Sequence, residues 1–367
     1  MPVNTFSSEV DYLIHLLNCV LRNEHPQEMP DTLNFQKLFE LAQFHSVANI
    51  SFYAVEKLKK KPEPELMKKW AEVRDKAICK DIVQQTEFEN ISAAFNEHNM
   101  KFLPLKGIII KNLYPQTDMR LMSDIDILIE EKCAAEAKEI MLSLGYYADH
   151  TEIGYHDVYM KKPIMNVEIH RRLFGTSHKN LAKAFNSKVW NMAEHYKDFQ
   201  YRFKKSEFFV YILSHSAMHY VFGGTGIRSF MDIWVYYNKY RSELDLTLFE
   251  KILDKETAKL CRDLLAVSEI WFGDKENDGS YNEMIKYILG SGTYGVISNV
   301  VSNQLKEGKI KYLFRNIFLP YSTMLHTFPF LKKAPFLLPV CWIIRPFIKI
   351  FTRRRVFAVK IKALFNK

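Results

Sequence analysis

Ser123-Asp-Ile-Asp-Ile-Leu-Ile129 reads as a strand that enters a core with two acids at its mouth. Side chains alternate across a strand, so Asp124 and Asp126 share one face while Ile125 and Ile127 point the other way. Two close carboxylates repel each other and lose hydration together. A divalent cation removes that conflict, and magnesium prefers hard oxygen ligands that it often shares with substrate phosphates. A third acid lies in a similar run, Asn166-Val-Glu-Ile-His170, where Glu168 and His170 share a face and Val167 and Ile169 face away. Three carboxylates on neighbouring strands suit a two-metal site for in-line phosphoryl transfer. A lone Asp-x-Asp is common at a solvated strand end, but here the surroundings add to it. Leu103-Pro-Leu-Lys-Gly107 ends an apolar run at a glycine, and Arg120 and Ser123 immediately precede the pair.

Outward from this run, the period of the apolar residues changes. Residues 101–105 form a short strand, and Gly107 to Leu113 is helical. Glu131 to Leu144 is an amphipathic helix that Gly145 stops as a C-cap. Strand-like runs follow at His156 to Met160 and Asn166 to His170, so a small α/β unit covers about 100–172. Residues 8–99 are helical, with apolar spacing of three and four in Val10, Leu13, Ile14, Leu17 and in Phe35, Leu38, Phe39, Ala42. Pro62 and Pro64 precede a long helix from Glu65 to His98. From 178 onward the chain reads as mostly helical, most clearly at Glu207–Tyr220, Arg228–Tyr240 and Thr257–Trp271. The expected class is α+β: a sheet core over 100–200, flanked by an N-terminal helical region 1–99 and a C-terminal helical domain 201–307, with a basic aromatic tail 308–367.

The 367 residues are 48% apolar and 25% charged, the composition of a globular protein. The net charge of +9 divides into −4 for residues 1–307 and +13 for residues 308–367, where no Asp or Glu occurs. Cationic residues are therefore not spread over a domain face, which argues against sequence-specific nucleic-acid binding. Five cysteines, far apart and without a Cys-x-x-Cys pair, point to a reducing cytoplasm rather than to disulfides or a thiolate zinc site. No basic region precedes the first apolar run, so no secretory leader is expected. The stretch 334–344 is too short to span a bilayer, which takes ~20 apolar residues.

In the tail, Trp342, Phe347, Phe351 and Phe357 interleave with Arg345, Lys349, Arg353-Arg-Arg355 and Lys360. Two readings fit. One is a terminal helix docked on the acidic body, which is the simpler expectation. The other is a contact of 334–367 with an anionic membrane surface, on the inner face of the membrane.

Leu105-Lys-Gly107, Leu113-Tyr-Pro115, Arg120, Ser123 to Ile129, Gly145-Tyr146 and Val167-Glu-Ile-His170 together resemble the uncharacterised bacterial nucleotidyltransferase family of the DNA polymerase β-like superfamily. The resemblance extends to Ala42–Val47 with His45, to His219-Tyr-Val-Phe222 and Arg228-Ser-Phe-Met-Asp232, and more weakly to Phe328–Lys332 and Leu338-Pro339 with Arg345. It implies a polymerase β-like sheet core and transfer of a nucleoside monophosphate from a nucleoside triphosphate to an acceptor hydroxyl. Asp124, Asp126 and Glu168 would be the catalytic metal ligands for two Mg²⁺ ions. Lys106, Gly107, Arg120 and Ser123 would contact the nucleotide, and His170, His219, Arg228 and Asp232 would border an acceptor or base pocket. The superfamily usually has Gly-Ser or Gly-Gly where this chain has Lys106-Gly107-Ile108, and sixteen residues separate Gly107 from Asp124. The missing hydroxyl keeps a second reading open, a catalytically silent relative that binds a nucleotide or a protein.

Each of these residues has a plainer role beside the chemical one. Lys106 and Arg120 would serve as ion pairs, Gly107 as a strand–helix turn, and Ser123 as a local backbone cap. Arg228 and Asp232, four apart, would pair across one helical turn. His215 and His219 have zinc-capable spacing, but the glutamate of a His-Glu-x-x-His motif is absent. Gly223-Gly-Thr-Gly226 forms a loop that could nest an anion. No Walker loop, Gly-x-Ser-x-Gly or Rossmann fingerprint occurs.

Overall fold

Ser8 and Asn34 cap the first two helices, α1 (Glu9–Arg22) and α2 (Phe35–Phe44), by accepting hydrogen bonds from first-turn N–H groups. They pack with α3 (Ala48–Val55) through the apolar stripes that the spacing predicts. Pro64, placed where its missing N–H costs nothing, opens the 34-residue α4 (Pro64–Glu97). The architecture comes from a computed structural model that describes residues 8–150, 154–293, 295–305 and 308–352.

The sheet follows. Its first elements are β1 (Phe102–Pro104), the single turn α5 (Gly107–Ile110), β2 (Ile125–Ile129) and α6 (Ala134–Ser143). Gly145 closes α6 with a positive φ of 82°, as expected of a C-terminal glycine. Then come β3 (Tyr147–His150), β4 (His156–Lys161), β5 (Met165–His170), α7 (Lys179–Phe185), β6 (Ala193–Lys197) and β7 (Gln200–Phe203). The seven strands lie in the order β3-β4-β5-β2-β1-β7-β6. β2 pairs parallel with β5, and β1 parallel with β7; the other pairs are antiparallel. The register is shifted once in β3/β4, between Ala148 and His150, and once in β6/β7, between His195 and Lys197.

Beyond 178 the chain is mostly helical, as expected, with one hairpin that the sequence reading omits. β6 and β7 form a hairpin that extends the sheet, with β7 docked on β1 at Phe102↔Gln200. Only Ala193 of β6 is buried, so Ala193-Glu-His-Tyr-Lys197 lacks the apolar alternation by which a strand is read.

Alternation gives the two sheet faces different work. Ile125, Ile127, Ile129, Val167 and Ile169 face Ile91 and Phe95 of α4 and Ala137, Ile140 and Met141 of α6. Leu103, Leu105 and Leu128 point the other way, into a larger core. That core is shared with α1–α3 and with α8 (Lys205–Phe222), α9 (Ile227–Tyr240), α10 (Leu248–Ile252) and α11 (Lys255–Phe272). His45, fully buried, links the N-terminal helices to α9: its Nδ1 accepts the Ile227 N–H at 3.4 Å, and burial pushes its pKa down to about 4.

Beyond α11 lie α12 (Asn282–Leu289), α13 (Ile297–Leu305), α14 (Lys309–Ile317), α15 (Tyr321–Thr327) and α16 (Leu338–Thr352). Met324, Phe328, Leu331 and Cys341 make a small core of their own. The Trp342 indole donates to the Leu319 carbonyl and Arg345 to the Asn316 carbonyl, both at 2.9 Å. Among the described residues, no helix is long and apolar enough to cross a membrane. Arg353-Arg-Arg355, Phe357 and Lys360 lie outside the described residues. All five cysteines are free thiols.

Candidate active site

The parallel pairing of β2 with β5 sets Asp126 beside Glu168 and Leu128 beside His170. The period-two pattern of both strands puts Asp126, Glu168 and His170 on the face opposite the isoleucines. One ligand atom from each of the three lies within 4.8 Å of the others. His170 Nε2 stands 2.8 Å from Asp126 Oδ1 and 3.4 Å from Glu168 Oε2, between the two carboxylates. Asp124 precedes β2 on the same face, close enough for the charges of Asp126 and Glu168 to act on it.

Lys106 completes the cluster. Its Nζ donates to Asp126 Oδ1 at 3.0 Å. Strand alternation would send this side chain to the opposite face from Leu105, whose N–H bonds the Asp126 carbonyl. A φ of 46° and ψ of −115° turn it back. Residues other than glycine seldom adopt positive φ, and such strain gathers at functional positions.

Burial opposes the Asp126 charge, but the Lys106 ammonium and the His170 ring outweigh it and hold this carboxyl well below the usual range. The same contacts, working against burial, raise the pKa of Lys106 and of His170. Burial also opposes the Glu168 charge, and the hydrogen bond with His170 overcomes it, lowering its pKa. Asp124 lacks this support. Burial first, then Asp126 and Glu168, push it up to about 6.

A second layer lies behind the cluster. Arg120 grips Asp232 with two hydrogen bonds, Nε at 2.9 Å and Nη2 at 2.7 Å, and the Tyr114 hydroxyl adds a third at 2.8 Å. Arg228, one turn before Asp232, donates to the Leu121 carbonyl at 2.9 Å, and its charge reaches Asp124. Ser123 offers its carbonyl to Lys80 Nζ at 3.3 Å. On α8 the His215 and His219 rings stand 4.5 Å apart, and Lys106 and Asp126 act on both.

A family model described as uncharacterised nucleotidyltransferase matches residues 31–273. The chain belongs to that family. No curated protein and no solved structure gives a significant match. Membership sets the general class of reaction, nucleotidyl transfer. The matched range takes in α2 through α11, and so every residue of the carboxylate cluster.

In this nucleotidyltransferase the structure gathers Asp124, Asp126, Glu168, His170 and Lys106 at one place. Arg120, Asp232 and Gly107 form the layer behind it. Gly107 has a specific steric reason: a Cβ there would lie 2.5 Å from Met122 Sδ and closer still to Arg120 Nη1. Its bare backbone admits the arginine that binds Asp232. Gly107→Ala is therefore expected to cost about 1–3 kcal/mol of stability by overpacking, measured by chemical denaturation. The Gly223–Gly226 loop has a similar explanation. Cβ atoms on Gly224 and Gly226 would strike Ser291 and Thr293, so these glycines allow chain segments to pass closely.

Two neighbours of the cluster were not singled out from the sequence. His156 opens β4 opposite His170, and its Nε2 lies 3.8 Å from Glu168 Oε2. Its signal was present, since it heads a strand-like run next to the one that ends at His170. Tyr211 is fully buried on α8, its hydroxyl has no hydrogen-bond partner among the described residues, and the charge of Lys106 acts on it. Nothing local in Phe208–Leu213 separates that tyrosine from ordinary core.

Proposed function

We propose that the protein is a Mg²⁺-dependent enzyme that moves a nucleoside monophosphate from a nucleoside triphosphate to an acceptor hydroxyl. The acceptor oxygen forms a bond to the α-phosphorus, the bond to the β,γ-pyrophosphate breaks, and the hydroxyl proton leaves to base. The observation that carries this reading is the side-by-side pair Asp126–Glu168, with Asp124 and Lys106 on the same sheet face.

The residues fit a divalent cation. Asp126, Glu168 and His170 offer two carboxylate oxygens and an imidazole nitrogen within one coordination sphere's reach. The His170 Nδ1 and His156 Nδ1 atoms are buried without hydrogen-bond partners, so this pocket has polar capacity to spare. The oxygen pair suits magnesium, and the nitrogen also admits manganese. When bound, such ions (two, on the expectation from Asp124, Asp126 and Glu168) supply positive charge to the phosphates and to the acceptor oxygen. The chain's own groups do the rest. Lys106 and Arg228 attract and orient the anionic triphosphate, and His170 holds both carboxylates in position. Arg120 and Asp232 fix the loop that carries Asp124. Positioned charge of this kind is the main resource of phosphoryl-transfer enzymes. The free thiols suit a reducing, cytoplasmic setting.

One observation favours the silent-relative reading. Asp126 Oδ1 already receives Lys106 Nζ and His170 Nε2, so a cation must compete for that oxygen. Incubation with each α-phosphate-labelled triphosphate, Mg²⁺ or Mn²⁺ and cell extract separates the two. The transferase reading requires label on an acceptor and released pyrophosphate. Triphosphate binding with no labelled product on any acceptor would establish the silent relative instead.

Metal binding has its own expected result. Ions at 100 times their dissociation constant should stabilise the wild type by about 2.7 kcal/mol in denaturation. Glu168→Gln should reduce that gain sharply. An equal gain in both proteins would place the ion elsewhere.

A further inference from the structure

An exposed apolar surface lies toward the far end of the chain. On α16, Val340, Ile343, Ile344, Phe347 and Ile348 recur at the spacing of one helix face, and all are exposed. Ile343 is 68% and Phe347 59% exposed. The opposite side of the helix packs inward through Cys341 and Arg345 onto the small core of Met324, Phe328 and Leu331. The apolar stripe thus points outward on a helix whose inner face is already satisfied. Phe336, 78% exposed, stands just before it, and Ile310 and Phe314 form a similar exposed pair on α14. A soluble surface usually carries charge at such positions, and a contiguous apolar patch marks a binding face.

We infer that this face lies on a lipid bilayer that carries anionic headgroups. Charge complementarity and helix geometry both favour that surface. Residues 308–367 hold thirteen basic residues and no acid, and Lys332 and Lys333, which precede the stripe in the chain, are exposed. A second copy of the chain would bring two strongly cationic tails together, and repulsion opposes that pairing. Nucleic acid would use the cations but leave the apolar stripe in water. An anionic membrane surface satisfies both features, burying the stripe at the acyl boundary and the cations among the headgroups. The described turns of α16, Leu338–Thr352, cover about 22 Å, short of the ~30 Å hydrocarbon core, and their one-sided apolar stripe suits a position in the plane of the interface. This inference stands apart from the catalytic reading, because binding is measured without turnover.

The test is sedimentation of the full chain with vesicles of phosphatidylcholine, alone or mixed equally with phosphatidylglycerol. The protein should pellet with the mixed vesicles, and added salt should release it. Ile343→Asp with Phe347→Asp should weaken partitioning at least about tenfold, since it charges the stripe at the membrane boundary. Both sites face solvent, and circular dichroism checks that the helices persist. Lys332→Glu with Lys333→Glu keeps the stripe intact and should weaken binding to the mixed vesicles alone. Absence of binding to mixed vesicles would overturn the inference, as would binding that neither variant reduces. A wild-type oligomer that the Asp variant dissociates, with no vesicle binding, would assign the stripe to self-association and overturn it too.

Discussion

Asp124→Asn is expected to remove nucleotide turnover, by about 10³-fold or more, while leaving the metal-free protein as stable as wild type or more so. The two halves of this result have one cause. Burial and the charges of Asp126 and Glu168 push the Asp124 carboxyl up to about 6. Unfolded, it titrates near ~3.9. Between those values the folded state binds a proton that the unfolded state does not. Stability therefore falls as pH rises through that window and stays lower above it. At pH 8 with chelator, the charge costs about 1–3 kcal/mol, which asparagine relieves. The same charge becomes an asset once cations and phosphates arrive. Urea denaturation at pH 8, paired with label transfer, measures both quantities. Undiminished turnover would sink the assignment of the active site, and a large loss of stability would sink the electrostatic account. Asp126→Asn provides the contrast. It removes the counter-charge from Lys106 and the carboxylate that raises the pKa of His170, so it should lose stability as well as activity.

The second large effect concerns the layer behind the site. Arg120→Ala should destabilise the protein by about 3–5 kcal/mol, because it leaves the Asp232 carboxylate buried without its cation. Tyr114 would remain as a hydrogen-bond donor, too little to replace a two-pronged ion pair. Asp232→Ala should cost a similar amount for the reverse reason. The double replacement Arg120→Met with Asp232→Leu should be closer to wild type than either single alanine variant, since a buried pair exchanged for apolar groups of like size is often neutral. A double-mutant cycle in chemical denaturant measures the coupling. Single-variant losses under about 1 kcal/mol would show that the pair is hydrated and contributes little.

Much of the site was legible in local patterns. Period-two alternation in two short runs places Asp124, Asp126, Glu168 and His170 on common faces, because a strand leaves a side chain only two directions. Helix spacing and Gly145 did the same for α6. Other features depend on partners distant in the chain. Lys106 meets Asp126 only through an unusual backbone turn, and Arg120 meets Asp232 across 112 residues. No local signal encodes either pair. Lys106 and His170 already offset part of the carboxylate repulsion that the sequence implies. The hairpin β6–β7 escaped for the opposite reason. Its outer strand is mostly solvated, so burial imposed no alternation to read. Gly107 reads from the sequence as a nucleotide contact or a strand–helix turn, whereas the group that crowds it is Arg120, which sequence spacing alone does not identify.

The register shifts noted at β3/β4 and β6/β7 fall in the two outermost strands of the sheet. An open sheet exposes unpaired N–H and C=O groups at each rim, where another chain can add a strand. A bulge there twists the rim and interrupts the regular row of donors and acceptors. Both rims of this sheet thus present an irregular row to any added strand. The exposed Glu194 and Lys197 of β6 add charge to the same guard. The strands that carry Asp126 and Glu168, β2 and β5, lie inside the sheet, away from both rims.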